Sequence, residues 1–402
     1  MGLLRSVTVN TLYQMLARVV SSGSSFLIAI IIARLFGLIG YGDFAKVTAF
    51  VSLFYLLIDF GFNAIFLQKD NAYLRFLDLV AIRLFLAFLL FLCITAITYL
   101  LPYDALSGIG FSLENKSNIL LFSLSLFAQA IIFSTSALFQ KYFLYKQVFI
   151  STLVGSLCTL LGVLLLTIIH MSLMWILIAF LTGMYVQAFV GLFSARFLYR
   201  ATKSNKTFMK TLFRETFPVA LMLFFNMVYF RIDMFLLSLF RPSTDIALYD
   251  ASYRVFDFLL TLPLFLSNSL YPHMLKERKN IRNKVKNEKV YYLIFISFGI
   301  LVAGIFWFLS PLIFYLLRPE FIKAVIPLRI LLISLPVFFL TSIMQWMLVA
   351  KKQQRFLAQA YAIFMLANII LNLFFIPRYG YIASAIITDV CEAFVALVFL
   401  FR

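Results

Sequence analysis

Arg231 and Asp233 lie near the middle of an apolar run, 217–240, within the stretch NMVYFRIDMFLLSLF (226–240). A charge at the centre of a membrane helix costs roughly 2.5–3.5 kcal/mol on insertion scales, so two in one helix need a reason. Residues two apart on a helix point to well-separated faces, so these two charges cannot cancel one another. Each requires its own partner or its own water. Arginine suits a diphosphate, because its planar fork donates to two oxygens at once and its charge is hard to remove. Arg18, Arg231 and Arg254 are therefore the candidate set for a phosphorylated headgroup. Asp59, Asp233 and Asp257 are the candidates for coupling to H⁺ or Na⁺. The plainer alternative pairs each arginine with a carboxylate that only holds helices together. Asp250, Arg254 and Asp257 follow i, i+4, i+7 spacing, which predicts an Asp–Arg–Asp ladder on one polar face. Asp389 and Glu392 are also deep, whereas Asp78, Arg83, Asp250 and Arg329 lie near span ends and are expected to snorkel. Asn226, Asn268, Asn368 and Asn372 are expected to join helices.

The elements that position these residues follow from composition. Of 402 residues, 64% are hydrophobic and 12% charged, about half the charged share of a soluble domain. The apolar runs are long and continuous, unlike the short alternating segments of a β-barrel. The predicted class is an all-α polytopic membrane protein. Twelve spans can be drawn: 10–36, 44–67, 76–101, 118–140, 148–169, 173–196, 217–240, 246–272, 290–317, 324–350, 356–376 and 380–401.

The net charge of +18 is explained by topology and not by nucleic-acid binding. Alternate loops, counted with both termini, hold 22 of the 34 Lys and Arg residues, the opposite loops hold seven, and five lie within spans. This bias places both termini in the cytoplasm. The first apolar run is too long for a signal-peptide core and is read as the first span. MGLLRS at the start fits the loose myristoylation pattern, but one acyl chain adds little to many spans. The basic stretch 201–216 divides six spans from six and is expected to be a linker between lobes 1–200 and 217–402. The basic loop 273–289 is read as a topology signal, with an amphipathic helix on anionic lipid as the alternative. Asn115-Lys-Ser and Asn205-Lys-Thr match the glycosylation sequon and are expected to be unused.

IGYGDFAKVTAFVSLF from Ile39 and DIALYDASYRVFDFLL from Asp245 hint at an internal repeat. Each runs from a short outer turn into a helix, through Gly42-Asp43-Phe44 and Ala247-Leu248-Tyr249. With the midpoint linker they predict two six-helix lobes related by an axis along the membrane normal. Nine of the ten prolines follow the linker, and Pro263, Pro327 and Pro336 inside spans predict kinks there.

Nothing in the chain reads as an enzyme. It has no phosphate-binding glycine loop, no nucleophile elbow and no metal-ligand spacing. Cys93, Cys158 and Cys391 are scattered in apolar runs, and His170 and His273 are the only histidines, so no cofactor, metal or disulfide is expected. No segment could hold a nucleotide domain, so energy must come from a gradient or from the substrate.

The chain resembles the bacterial polysaccharide (O-antigen, Wzx-type) flippases of the multidrug/oligosaccharidyl-lipid/polysaccharide (MOP) exporter superfamily. The resemblance rests on ARLFGLIGYGDFA (33–45), IDFGFN (58–63), FRIDMFLL (230–237), ALYDASYRVFD (247–257) and NIILNLFFIPRYGYIASAIITDVCE (368–392), in the family's order. It implies two six-helix bundles around a central cavity walled by spans 1, 2, 7 and 8. It implies an undecaprenyl-diphosphate-linked oligosaccharide as substrate, alternating access, the bacterial inner membrane, and a polysaccharide polymerase with chain-length machinery as partners. Basic cavity residues bind the diphosphate in this family, which fits Arg18, Arg231 and Arg254, and Asp233 occupies its acidic position in span 7. The chain ends with span 12, whereas lipid II flippases of the superfamily have two further spans. A gradient-driven multidrug antiporter is the main alternative; it would favour cavity carboxylates. A glycan polymerase or ligase would need a large outer loop, and the longest here is about 102–117.

Overall fold

The computed structural model describes residues 2–68, 72–169, 171–200, 206–277, 281–351 and 353–401. They are almost entirely helical, as the long apolar runs require. The helices are α1 (Gly2–Asp59), α2 (Phe62–Phe66), α3 (Ala72–Leu100), α4 (Leu113–Ser123), α5 (Ser125–Lys141), α6 (Tyr145–Ile168) and α7 (Leu173–Ala195), then α8 (Lys206–Phe240), α9 (Ser243–Glu277), α10 (Ile281–Leu317), α11 (Val325–Ala350) and α12 (Gln354–Leu400).

Among the described residues, eight helical segments are long and apolar enough to cross a membrane. Two of them, Val9–Asp59 and Arg355–Leu400, have 51 and 46 residues. A single crossing takes about 20 residues, so each of these crosses twice. The charged helices α8 and α9 complete the twelve spans. α4 and α5 form one span, broken at Leu124. Large apolar side chains such as Phe85, Phe189, Phe308 and Phe374 stand exposed on these helices, as a surface solvated by lipid allows.

Among the described residues, helical backbone angles are lost inside two helices, at Gly37 (φ 64°, ψ −162°) in α1 and at Gly380 (φ 60°, ψ −144°) in α12. That backbone region is close to glycine-only. Pro327 sits in the first turn of α11, where its missing N–H leaves no helical bond unmade. Pro336 lies within continuous α11, and a Cβ on Gly299 of α10 would come within 2.7 Å of its Cα. The two glycine turns are built alike. A Cβ on Gly37 would lie 2.8 Å from Arg318 Nη1, and one on Gly380 would lie 3.0 Å from Arg241 Nε and Nη2. Arg241 pairs with Asp245 at 2.7 Å and Arg318 with Glu320 at 3.7 Å.

The chain divides into two compact units. The first holds Met1–Leu35, Lys46–Ala105 and Phe111–Met227; the second holds Phe36–Ala45, Leu106–Gly110 and Val228–Arg402. The division falls inside α8, and residues 206–216 are the opening turns of that helix.

In the first unit, α6 and α7 approach through small residues. A Cβ on Gly183 would sit 1.8 Å from Thr159 Oγ1 and 2.8 Å from the Gly155 carbonyl oxygen. Membrane helices pack closely where backbones can touch, because lipid supplies no hydrophobic drive between them. Gly183→Val should push the pair apart and lower stability by about 1–3 kcal/mol. Thermal unfolding in detergent reads this. Gly23→Val is the control, since a Cβ there meets nothing within 4 Å.

In the second unit, the helical stretch that follows Gly37 in α1 is fastened at its start to the beginning of α9. A Cβ on Gly42 would fall 1.9 Å from the Ser243 carbonyl oxygen, and Ser243 Oγ donates to Asp43 Oδ1 at 2.6 Å. The outer-turn ends of the two repeat-like stretches therefore pack on each other. Ile109 bridges Pro242 in the same region.

Candidate functional site

The site residues of the second unit come from α8 and α9. Arg231 and Asp233 diverge as the helical period requires. Arg231 has a side chain 47% exposed, whereas Asp233 is only 3% exposed. Arg231 Nη2 donates to Asp257 Oδ2 at 2.6 Å, and its guanidinium carbon lies 5.5 Å from the centre of the Tyr253 ring. Tyr253 is itself fixed, donating its hydroxyl to the Phe230 carbonyl at 3.0 Å. Asp257 is 35% exposed, so neither partner of this ion pair is enclosed by packed side chains.

Asp233 takes the opposite face. Tyr249 donates its hydroxyl to Asp233 Oδ2, and the Met234 N–H donates to Oδ1 at 2.7 Å. Arg254 donates from Nε to Asp250 Oδ2 at 2.6 Å. Tyr41, fully buried, donates to the same oxygen at 2.7 Å. The Phe44 ring centre is 5.8 Å from the Arg254 guanidinium carbon. The expected Asp250–Arg254–Asp257 ladder is thus only half formed. Asp250 and Arg254 pair at i, i+4, but Asp257 reaches across to Arg231 of α8, which needed a partner more.

Buried Glu392, Asn368 and Asn372, with half-buried Asp389, extend the polar interior along α12. Glu392 Oε2 accepts from Tyr229 at 3.0 Å, and Oε1 accepts from Thr341. Asp389 Oδ1 accepts from Ser334 at 2.5 Å. Asn372 donates to the Asn368 carbonyl at 2.9 Å and to Asn368 Oδ1 at 2.8 Å, within one helix. The side chains of Asn268 and of most of 273–289 lie outside the described residues, as do His170 and Asn205.

In the first unit, Arg18 is exposed on α1. Asp59 is paired: Arg83 Nη2 donates to its Oδ1 at 2.9 Å. Arg83 does not snorkel as its position near a span end implied. It is fully buried, donating to Asn63 Oδ1 at 2.7 Å and to Ser134 Oγ at 3.3 Å, between the rings of Phe62 and Phe133. Asp250 and Asp78 are likewise buried and do not snorkel, and Asp78 pairs with Arg75 at 3.3 Å.

The structure thus brings Arg231 to Asp257 and Arg254 to Asp250, and sets Asp59 with Arg83. Sequence reasoning missed the tyrosines. Tyr249 and Tyr253 are spaced i, i+4 beside Asp250 and Arg254, which was a readable sign of a second polar stripe on α9. Tyr229 and Tyr41 left no such sign.

A family model described as polysaccharide biosynthesis protein matches residues 7–277. The chain belongs to this polysaccharide biosynthesis family. The match spans α8 and α9 with their charged pairs, so Arg231, Asp233, Arg254 and Asp257 lie within the family's region. No curated protein matches the chain. Among solved structures, the chain is similar to the lipid II flippase MurJ in an inward closed conformation. The TM-score is 0.75 at 18% identity, covering 97% of this chain and 87% of that one. It is also similar to an inward-facing multidrug resistance MATE family transporter of the MOP superfamily, with TM-score 0.66, 14% identity and coverage of 98% and 93%. A third similar structure is a MOP superfamily transporter from Pyrococcus furiosus described as having a binding pocket of reverse polarity, with TM-score 0.63, 14% identity and coverage of 99% and 95%. This family member therefore has the multi-pass membrane fold of MOP superfamily transporters.

Proposed function

We propose that the chain is a flippase for a polyprenyl-diphosphate-linked oligosaccharide, an O-antigen or other polysaccharide repeat unit. The observation that carries this is Arg231: a guanidinium at mid-span, half exposed, whose carboxylate partner Asp257 is itself partly exposed. Family membership supplies the saccharide. Arg231 and Arg254 bind the diphosphate, with exposed Arg18 as a separate basic contact. Asp257 holds Arg231 until the headgroup arrives and returns to it when the headgroup leaves. Coupling to H⁺ or Na⁺ is assigned to Asp233 and Asp257; Asp59 is tied to Arg83 and is the weaker choice. The membrane is the bacterial inner membrane, with both termini cytoplasmic on the loop charge bias. Lobes 1–200 and 217–402 alternate access, and the polysaccharide polymerase and chain-length machinery receive the product. No step requires catalysis.

The multidrug antiporter reading is less well supported. A cationic drug needs a carboxylate that no cation already holds: the exposed Asp257 is paired with Arg231 at 2.6 Å, and Asp233 and Glu392 are each 3% exposed and engaged by hydroxyl groups. Complementation of a bacterial strain lacking its own repeat-unit flippase tests the proposal. The intact chain should restore polymer at the cell surface. Failure to restore it with several repeat-unit chemistries, in a chain shown to be inserted, would count against it.

A further inference from the structure

The hydrogens between α11 and α12 can be counted. The Thr341 hydroxyl lies 3.2 Å from the Phe338 carbonyl oxygen and also meets Glu392 Oε1. The Ser334 hydroxyl repeats the arrangement, 2.9 Å from the Leu331 carbonyl oxygen and 2.5 Å from Asp389 Oδ1. A hydroxyl has one hydrogen to donate, and an ionised carboxylate has none. With Glu392 ionised, Thr341 satisfies only one of its two neighbours. With Glu392 as a carboxylic acid, every contact has its hydrogen. Glu392 then donates to Thr341, Thr341 donates to the Phe338 carbonyl, and Tyr229 donates to Glu392 Oε2 at 3.0 Å. We propose that Glu392 is a proton-binding site, held as the acid in this arrangement of α8, α11 and α12, and that its proton is the one exchanged during transport. The second half rests on the flippase reading; the first does not.

The surroundings favour the acid. Glu392, Thr341 and Tyr229 are all buried. Other deep carboxylates have an arginine: Asp59 has Arg83, Asp250 has Arg254 and Asp257 has Arg231. Among the described residues, no Lys, Arg or His pairs with Glu392. The groups near it are Tyr229 from α8, Tyr253 from α9, Thr341 from α11, and Tyr361, Asp389 and Cys391 from α12 itself. All are neutral or acidic. A carboxylate buried among helices without a cation is costly, and taking up a proton removes the cost. The proton therefore holds three helices together. Losing it leaves an anion with hydroxyl donors alone, so release requires α12 to part from α8 or α11 and meet water. Linkage makes the effect reciprocal: whatever opens this contact releases the proton, and alkaline conditions favour its opening.

The test uses the purified full chain in bilayers and reads the carboxylic-acid C=O band by infrared spectroscopy at neutral pH. Exposed carboxylates are ionised there and do not contribute. Glu392→Gln turns an amide N–H to Thr341 and an amide oxygen to Tyr229, so it keeps the acid's bonds and should fold. Its spectrum should lack one component of the band. Thr341→Val removes the acceptor of the acid's hydrogen and should shift that component to higher frequency. An unchanged band in either variant overturns the proposal. So does a component present in choline buffer and lost in sodium buffer, which would make Glu392 a sodium ligand. For the second half, transport of a fluorescent polyprenyl diphosphate is measured with and without a proton gradient. The gradient should change the rate of the intact chain, and Glu392→Gln should run at the same rate with and without it. No response in the intact chain, or a response kept by Glu392→Gln, overturns that half. If the intact chain moves no diphosphate lipid, the flippase reading fails, while the infrared result still decides the proton site.

Discussion

Arg231→Ala should reach the membrane and fold, yet lose nearly all polymer export. The folding half follows from exposure. Arg231 and Asp257 are 47% and 35% exposed, so neither is enclosed by packed side chains and truncating Arg231 opens no cavity in the core. The transport half follows from chemistry. A fork-like contact to a phosphate is charge-assisted and contributes about 1.5–3 kcal/mol, which is roughly a ten- to hundredfold loss in headgroup binding. Arg231→Lys should recover part of the activity, because a point charge keeps the attraction but not the two-oxygen fork. Export of labelled polymer, normalised to protein in the membrane, reads this. Full-rate export by Arg231→Ala at normal levels would remove Arg231 from the mechanism.

Arg83→Ala should do the reverse and act on stability. Arg83 is fully buried and joins three elements: Asp59 at the end of α1, Asn63 on α2 and Ser134 on α5. It spans a turn in which Phe60 and Gly61 both have positive φ, 47° and 67°. Phe60 is a large residue in a conformation that favours glycine, and it is held there by stacking on Phe213 of α8 at 4.7 Å. Removing one partner of a buried pair leaves the other charge uncompensated, at a cost of about 3–5 kcal/mol. Thermal unfolding in detergent should show Arg83→Ala well below the intact chain. The double variant Arg83→Met with Asp59→Leu should regain most of the loss, because no orphan charge remains. If the double variant were no more stable than Arg83→Ala, the pair would not be what holds this turn.

Much of the architecture was readable because membrane helices have few options. Twelve apolar runs fixed the spans, and the divergent faces of Arg231 and Asp233 followed from two-residue spacing alone. The breaks were harder. Proline signals a kink through its own chemistry, but a single glycine among many does not say that it will be left-handed. Gly37 and Gly380 became legible only with Arg318 and Arg241 in place above them. Pairing was harder still. Periodicity placed Asp250, Arg254 and Asp257 on one face, yet it could not say that Asp257 would turn to another helix. Arg83 was misplaced for a similar reason: closeness to a span end allows snorkelling, but partners on α1, α2 and α5 drew it inward. The bond from Tyr41 to Asp250 joins residues 209 apart and was beyond any local rule.

Proteoliposomes containing the purified chain give the most direct measurement: the rate at which a fluorescent polyprenyl-diphosphate disaccharide crosses the bilayer, followed by its loss of protection from an added reductant. The account predicts acceleration over empty vesicles, competition by other polyprenyl diphosphates, and its loss in Arg231→Ala. No acceleration of the diphosphate lipid, together with gradient-driven movement of a cationic dye by the same vesicles, would contradict it.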